Sequence, residues 1–184
     1  KNPVNIENSG KNKKYSTSKH YLCYCRKNTR SYTQRPRHVQ HVAGSIPDFV
    51  DMMNAKIAEL GCTESHFANP SGLNNDDQVV TAYDMTKIAA AAYSNPKLLE
   101  ISSAKSRKVG PTTNNPDGVN VRNEHRLVIT EDTSSEFYCP EAVAGKTGYL
   151  LKAGNTLVTY AKNDNTYLVS VVLQSVNGAY SDTK

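Results

Sequence analysis

Two apolar runs near the carboxyl end constrain this chain more than any other feature. Thr156 to Ala161 reads Thr-Leu-Val-Thr-Tyr-Ala, and Thr166 to Leu173 reads Thr-Tyr-Leu-Val-Ser-Val-Val-Leu. Both are dense in β-branched and aromatic residues, which suit a pleated, buried surface. Lys162-Asn163-Asp164-Asn165 lies between them, and such residues tolerate left-handed backbone and hydrogen-bond their own main chain. The spacing predicts a β-hairpin. The second run is apolar at successive positions, which calls for cover on both faces of its sheet. Immediately ahead, Gly145-Lys146-Thr147-Gly148 sets a cation and a hydroxyl between two glycines. Small residues at a strand edge let another backbone or a ligand come close, so this loop is the candidate functional centre.

A length of 184 residues suffices for one domain with a sizeable core. Hydrophobic content of 38% and a mean hydropathy of −0.60 place it on the polar side of globular. No apolar run has the length of a membrane span, and no signal segment opens these residues. The net charge of +5 is unevenly spread: residues 1–45 hold ten basic residues against Glu7 alone, a net of +9, and the remainder carries twelve basic and sixteen acidic, a net of −4. A basic arm can serve nucleic acid, but no recognised reading module accompanies it, and no nucleic-acid partner is expected. Cys23, Cys25, Cys62 and Cys139 lack the paired spacings of a zinc site and form no disulfide scaffold.

Residues 1–40 show neither a helical nor a strand period and are expected to be a basic, disordered or non-native extension. Regular structure is expected from His41. Ser45-Ile46-Pro47-Asp48 is a helix entry, and Phe49, Val50, Met53, Ile57 and Leu60 form one apolar stripe that Gly61 ends. A helix over about 46–60 follows, with Met52 and Met53 read as core. Cys62 to Val80 is loop-like, and Asn69-Pro70-Ser71-Gly72-Leu73 is a turn. Ser71 lacks a strand-to-helix elbow and a nearby base, so neither it nor His66 is read as catalytic. Thr81-Ala82-Tyr83-Asp84 caps an alanine-rich helix, and Asn95-Pro96 stops it and opens a shorter one. Lys105 to Asn120 reads as polar turns, and Asn123-Glu124-His125-Arg126-Leu127 as a loop or short strand.

Capped helix, Asn-Pro-x-Gly-Leu loop, Thr-Ala-Tyr-Asp-Met helix, Asn-x-x-x-Leu, Gly-Lys-Thr-Gly and a final hairpin occur in that order. The series resembles the carboxyl-terminal two-thirds of the catalytic domain of D-alanyl-D-alanine carboxypeptidases, low-molecular-weight penicillin-binding proteins of the serine peptidase clan that includes class A β-lactamases. His41 to Ser45, Met53 to Lys56, Phe67 with Asn69 to Leu73, Thr81 to Met85, Lys146 to Tyr149 and Val169 to Leu173 carry the likeness. It covers about residues 41–176, leaving 177–184 as a tail.

The resemblance implies an α/β fold of β-lactamase/transpeptidase type, an antiparallel sheet with helices on both faces, its amino-terminal part missing or replaced. It implies a serine of Ser-x-x-Lys attacking the D-Ala-D-Ala peptide bond, a Ser-x-Asn proton relay, and Lys-Thr-Gly on the opposite wall. Lys146 is then the electrostatic catalytic residue, and Thr147 and Gly148 bind substrate. The implied partners are peptidoglycan stem peptides and β-lactams, in the cell envelope. No metal or cofactor is implied, and membrane attachment only through an anchor not present in these residues.

The resemblance places Ser-x-x-Lys and Ser-x-Asn well ahead of the His41 segment, where this chain is expected to lack both, and three formal matches are read as chance. Ser16-Thr17-Ser18-Lys19 fits Ser-x-x-Lys, yet it lies close to His41 and lacks an apolar helix to bury Lys19. Ser102-Ser103-Ala104-Lys105 and Ser175-Val176-Asn177 fit the two motifs at the wrong places. Residues 1–40 are therefore expected to be foreign to the family, through truncation, a shifted frame or fusion. An inactive peptidoglycan-binding remnant, a β-lactamase-like hydrolase and a basic-armed nucleic-acid binder stand as alternative readings.

Overall fold

A computed structural model describes residues 35–113, 115–176 and 178–183. Helix α1 (Arg35–Ala43) begins six residues before the expected onset of order. Its sequence has no apolar stripe, so periodicity could not reveal it; Val39 is buried. Gly44 turns the chain at φ +83 and donates its N–H to the Gln40 carbonyl at 2.8 Å. Helix α2 (Ile46–Glu59) follows, capped by Ser45, whose Oγ accepts the Asp48 N–H at 3.2 Å and donates to Asp48 Oδ2 at 2.6 Å. The expected stripe faces inward, and Ile57 is its buried member. Met52 is 52% exposed, so its reading as core is corrected: it sits one residue off the stripe.

Helix α3 (Ala82–Tyr93) starts at Thr81, whose hydroxyl accepts the Asp84 N–H. Asn95 caps α4 (Pro96–Ser103) through the amides of Lys97 and Leu98. Strands β1 (Ser106–Val109) and β2 (Val119–Arg122) form an antiparallel hairpin in and beyond the stretch read as polar turns. Every residue of both is exposed. Four-residue strands exposed on both faces give too short a pattern to separate from turns: β1 has one apolar residue, and the alternation of Val119 and Val121 in β2 spans only three positions. A short α5 (Arg126–Ile129) leads towards the main sheet.

That sheet is antiparallel in the order β3-β4-β5, with β3 (Ala142–Leu150), β4 (Gly154–Asn163) and β5 (Thr166–Ser175). The predicted hairpin is β4–β5, closed between Asn163 and Thr166 with Asp164 at φ +42. Side chains alternate across a sheet, and the register separates two faces. Ala144–Tyr160–Val169 and Lys146–Val158–Val171 form rows on one; Gly145–Thr159–Ser170 and Thr147–Leu157–Val172 form rows on the other. Met85, Ala89 and Tyr93 of α3 pack with Ala144, Val158 and Tyr160 on the first face. The Tyr93 and Tyr160 rings lie 5.1 Å apart. The second face receives His125, just ahead of α5.

The antiparallel sheet with helical cover on both faces agrees with the expected architecture. The cover over β5 is less than its sequence called for: Leu168 is 55% exposed and most of the strand is half-buried. Among the described residues β5 is an edge strand, so it has a neighbour on one side only. Met85 is 2% exposed between α3 and the sheet, and Met85→Ala should lower unfolding free energy by about 3 kcal/mol through lost burial and a residual cavity. Met52→Ala should cost less than about 0.5 kcal/mol. Urea midpoints at unchanged m-value measure both, and equal losses would refute the packing described.

Candidate functional site

Gly145, Lys146, Thr147 and Gly148 lie in mid β3, paired with Thr159, Val158, Leu157 and Thr156 of β4. No strand lies on the outer edge of β3 among the described residues. An extended ligand could therefore meet main-chain donors and acceptors along this edge, as an added strand does. Lys146 is half-buried, and its Nζ donates to the Thr147 carbonyl. Gly148 faces Thr156, whose buried Oγ1 has no hydrogen-bond partner among the described residues.

Gly145 is required by contact. A Cβ there would stand 2.4 Å from His125 Cδ2 and Nε2 and 2.4 Å from the Val158 carbonyl oxygen. The imidazole occupies the space a side chain would need. His125 is 1% exposed, with Nε2 3.2 Å from the Val158 carbonyl oxygen and 3.1 Å from Thr159 Oγ1. Burial is the main cause that pulls its pKa from 6.5 to about 4, with the Lys146 charge adding to it against two backbone hydrogen bonds. The ring is therefore neutral near pH 7. Reading Asn123 to Leu127 as a loop missed this residue as a neighbour of the site. A lone histidine carries no sequence signal of which strand it will meet.

Most other residues that carry the family likeness are architectural. Asn54 Nδ2 donates to the Phe67 carbonyl at 2.8 Å and Oδ1 accepts its N–H at 2.9 Å, tying α2 to the following loop. Asp84, 1% exposed, accepts from Glu64 N and Ser65 Oγ and pairs with Lys87 at 3.5 Å. Ser71 Oγ donates to Asn69 Oδ1 and accepts the Leu73 N–H, and Gly72 takes φ +72, so the turn reading of Asn69–Leu73 holds. His66 bridges to Val79 through its backbone.

The two formal serine motifs that begin within the described residues are engaged elsewhere in the fold. Ser16 and Lys19 lie outside the described residues, as do Cys23, Cys25 and Asn177. Lys105 pairs with Glu131, Ser103 Oγ donates to the Glu100 carbonyl, and Ser175 Oγ accepts the Gly178 N–H at 2.9 Å. Cys62 and Cys139 are free thiols, and burial followed by the Asp84 charge pushes the Cys62 thiol up. Among the described residues no cluster of His, Cys, Asp or Glu is placed to hold a metal, and no helix is long and apolar enough to cross a membrane.

A family model described as D-alanyl-D-alanine carboxypeptidase matches residues 39–177. The chain belongs to the D-alanyl-D-alanine carboxypeptidase family. It is 33% identical over 135 residues to D-alanyl-D-alanine carboxypeptidase DacB2 of Mycobacterium tuberculosis, covering 72% of this chain and 43% of the relative. It is 29% identical over 136 residues to a D-alanyl-D-alanine endopeptidase of Escherichia coli, covering 73% and 41%. The crystal structure of a D-alanyl-D-alanine carboxypeptidase from M. tuberculosis superposes with a TM-score of 0.62 at 31% identity, over 74% of this chain and 48% of that one. Penicillin binding protein 5 from Haemophilus influenzae gives 0.63 at 26% identity, over 80% and 39%. The chain thus spans less than half the length of the curated relatives it matches, and the family's fold, with its Lys-Thr-Gly strand, is present in that span.

The depressed pKa of His125 fixes the sign of one pH effect. A neutral buried imidazole favours the native state fully above its unfolded pKa, and that advantage is lost as pH falls from 6.5 through about 4. The loss attributable to His125 should reach about 3 kcal/mol. Urea titrations at pH 7 and pH 4 on the wild type and on His125→Gln isolate it, since the other acidic groups are common to both. Equal pH dependence in the two proteins would refute the assignment.

Proposed function

We propose that this chain supplies the Lys146-Thr147-Gly148 wall of a serine-type D-Ala-D-Ala carboxypeptidase site that acts on peptidoglycan stem peptides in the cell envelope. The observation that carries this reading is a Lys-Thr-Gly segment on a strand edge without a neighbouring strand among the described residues, backed by a buried, uncharged ring. Three roles follow from the geometry. The edge of β3 at Thr147 and Gly148 pairs with the extended backbone of the substrate. Lys146 sets a cationic field beside that edge, where a terminal carboxylate binds and where negative charge develops on the scissile carbonyl oxygen. The second strand, β4, holds the edge strand in register from behind.

The nucleophilic wall is a separate matter. The described Ser-x-x-Lys match has Lys105 engaged with Glu131, and the described serine of the Ser-x-Asn match is engaged with Gly178. This favours a second reading, in which residues 41–176 bind the peptide without turning it over. Ser16 and Lys19 are the pair that would separate the two. β-Lactams are the implied covalent probe, because their ring carbonyl acylates the same serine.

Incubation with a fluorescent penicillin, followed by mass spectrometry, decides between them. An adduct on Ser16 supports turnover by this chain; no adduct, together with binding of an acyl-D-Ala-D-Ala peptide, supports the binding wall alone. Lys146→Met should weaken that peptide by about tenfold, the loss of one charge-assisted contact worth about 1.4 kcal/mol. Peptide binding unaffected by Lys146→Met would overturn both readings.

A further inference from the structure

We propose that His125 is a positioning residue for the Lys146-Thr147-Gly148 wall: its ring is the template against which the Gly145–Lys146 backbone is laid. The inference rests on the reading of that wall as a substrate surface, and it adds a residue that the family motifs do not name.

His125 is held from both sides of the chain before its ring reaches the sheet. Its N–H donates to Asn123 Oδ1 at 3.0 Å, and Asn123 Nδ2 donates to the carbonyls of Ser102 at 3.0 Å and Ala104 at 3.2 Å. Tyr180 Oη donates to the Glu124 carbonyl at 3.2 Å and accepts the Arg126 N–H at 3.0 Å. The Tyr180 ring meets the imidazole edge-on at 5.8 Å and Phe137 at 5.5 Å, and the Arg126 guanidinium covers Phe137 at 4.3 Å. So anchored, the imidazole Nε2 reaches two groups on β4, the Val158 carbonyl oxygen and Thr159 Oγ1. Val158 and Thr159 are the register partners of Lys146 and Gly145. One ring therefore touches β4 at the two residues that place the wall and fills the space over Gly145 on β3. Its position sets how close β3 lies to β4 there, and with it where the Lys146 backbone sits.

The test uses native-state amide hydrogen exchange on the full chain, comparing β3 amides bonded to β4 between Gly145 and Gly148 with amides of α3. His125→Ala should speed exchange at the β3 amides at least about tenfold more than at α3. His125→Gln, which retains an N–H donor, should restore most of the protection. Equal acceleration in α3 and β3, or none in β3, overturns the proposal. Should His125→Ala not fold, the wild type against His125→Gln carries the test. Below pH 5, β3 protection corrected for intrinsic exchange should fall in the wild type and stay level in the variant. Lys146 lies next to Gly145 on β3 with its side chain on the other face of the sheet, Tyr180 meets the ring from the carboxyl-terminal segment, and Glu124 and Arg126 flank it in sequence; all four are common to both proteins, so a difference reports the imidazole. Identical profiles overturn the proposal. In parallel, N-acetyl-D-alanyl-D-alanine is titrated into each protein. No binding to the wild type sinks the substrate-wall reading while the exchange result still judges the positioning role. Binding that weakens in His125→Ala and recovers in His125→Gln supports both.

Discussion

Strand β4 is the constraint on which the rest of the molecule depends. Among the described residues it is the one strand of the main sheet with a partner on each side, and Thr156 to Tyr160 are buried at every position. Burial on both faces demands cover from two directions. Met85, Ala89 and Tyr93 of α3 supply one layer through Val158 and Tyr160, and His125 supplies part of the other at Thr159. The Lys-Thr-Gly strand is placed by its pairing to this spine.

The same strand explains how polar groups come to lie inside the sheet. Thr156 and Thr159 are buried within the run, and Thr159 finds a partner in His125. Burying a histidine disfavours its charged form. An imidazolium beneath Gly145 would also be repelled by the Lys146 charge on the other face of β3. A neutral ring avoids that repulsion. Packing and electrostatics thus impose the same choice at one residue. The rest of the family pattern serves a different end: Asn54 and Asp84 satisfy loop amides, so that the segment between α2 and α3 holds its path without regular structure.

The fold was legible where a physical pattern repeats over many residues. The stripe of Phe49, Val50, Met53, Ile57 and Leu60, the caps at Ser45 and Thr81, and the β4–β5 runs each express local energetics that hold in any context. The α1 helix and strand β1 were not legible, because Arg35 to Ala43 and Ser106 to Val109 lack a repeating apolar face; β2 lay at the start of a stretch that reads as a loop or short strand. The burial of β5 was overstated for a related reason: a run such as Leu-Val-Ser-Val-Val-Leu expresses what the strand could bury, whereas among the described residues it lies at the sheet edge and is mostly half-buried.

By itself, the order of residues determined the family, the Lys146-Thr147-Gly148 segment as a loop at a strand edge, and the turns and caps that frame it. These follow from interactions between residues near one another in the chain, and from motifs whose spacing survives without coordinates. That the segment runs through the middle of β3 came from the fold. Only the tertiary structure decided that His125 lies under Gly145, since residues 20 positions apart meet through the pairing of β3 with β4 and the anchors at Asn123 and Tyr180. In sequence Gly145 reads as a small residue at a strand edge that lets a backbone or a ligand come close. In the fold it is a strand residue whose missing side chain makes room for a ring, because that contact exists only after the sheet has formed.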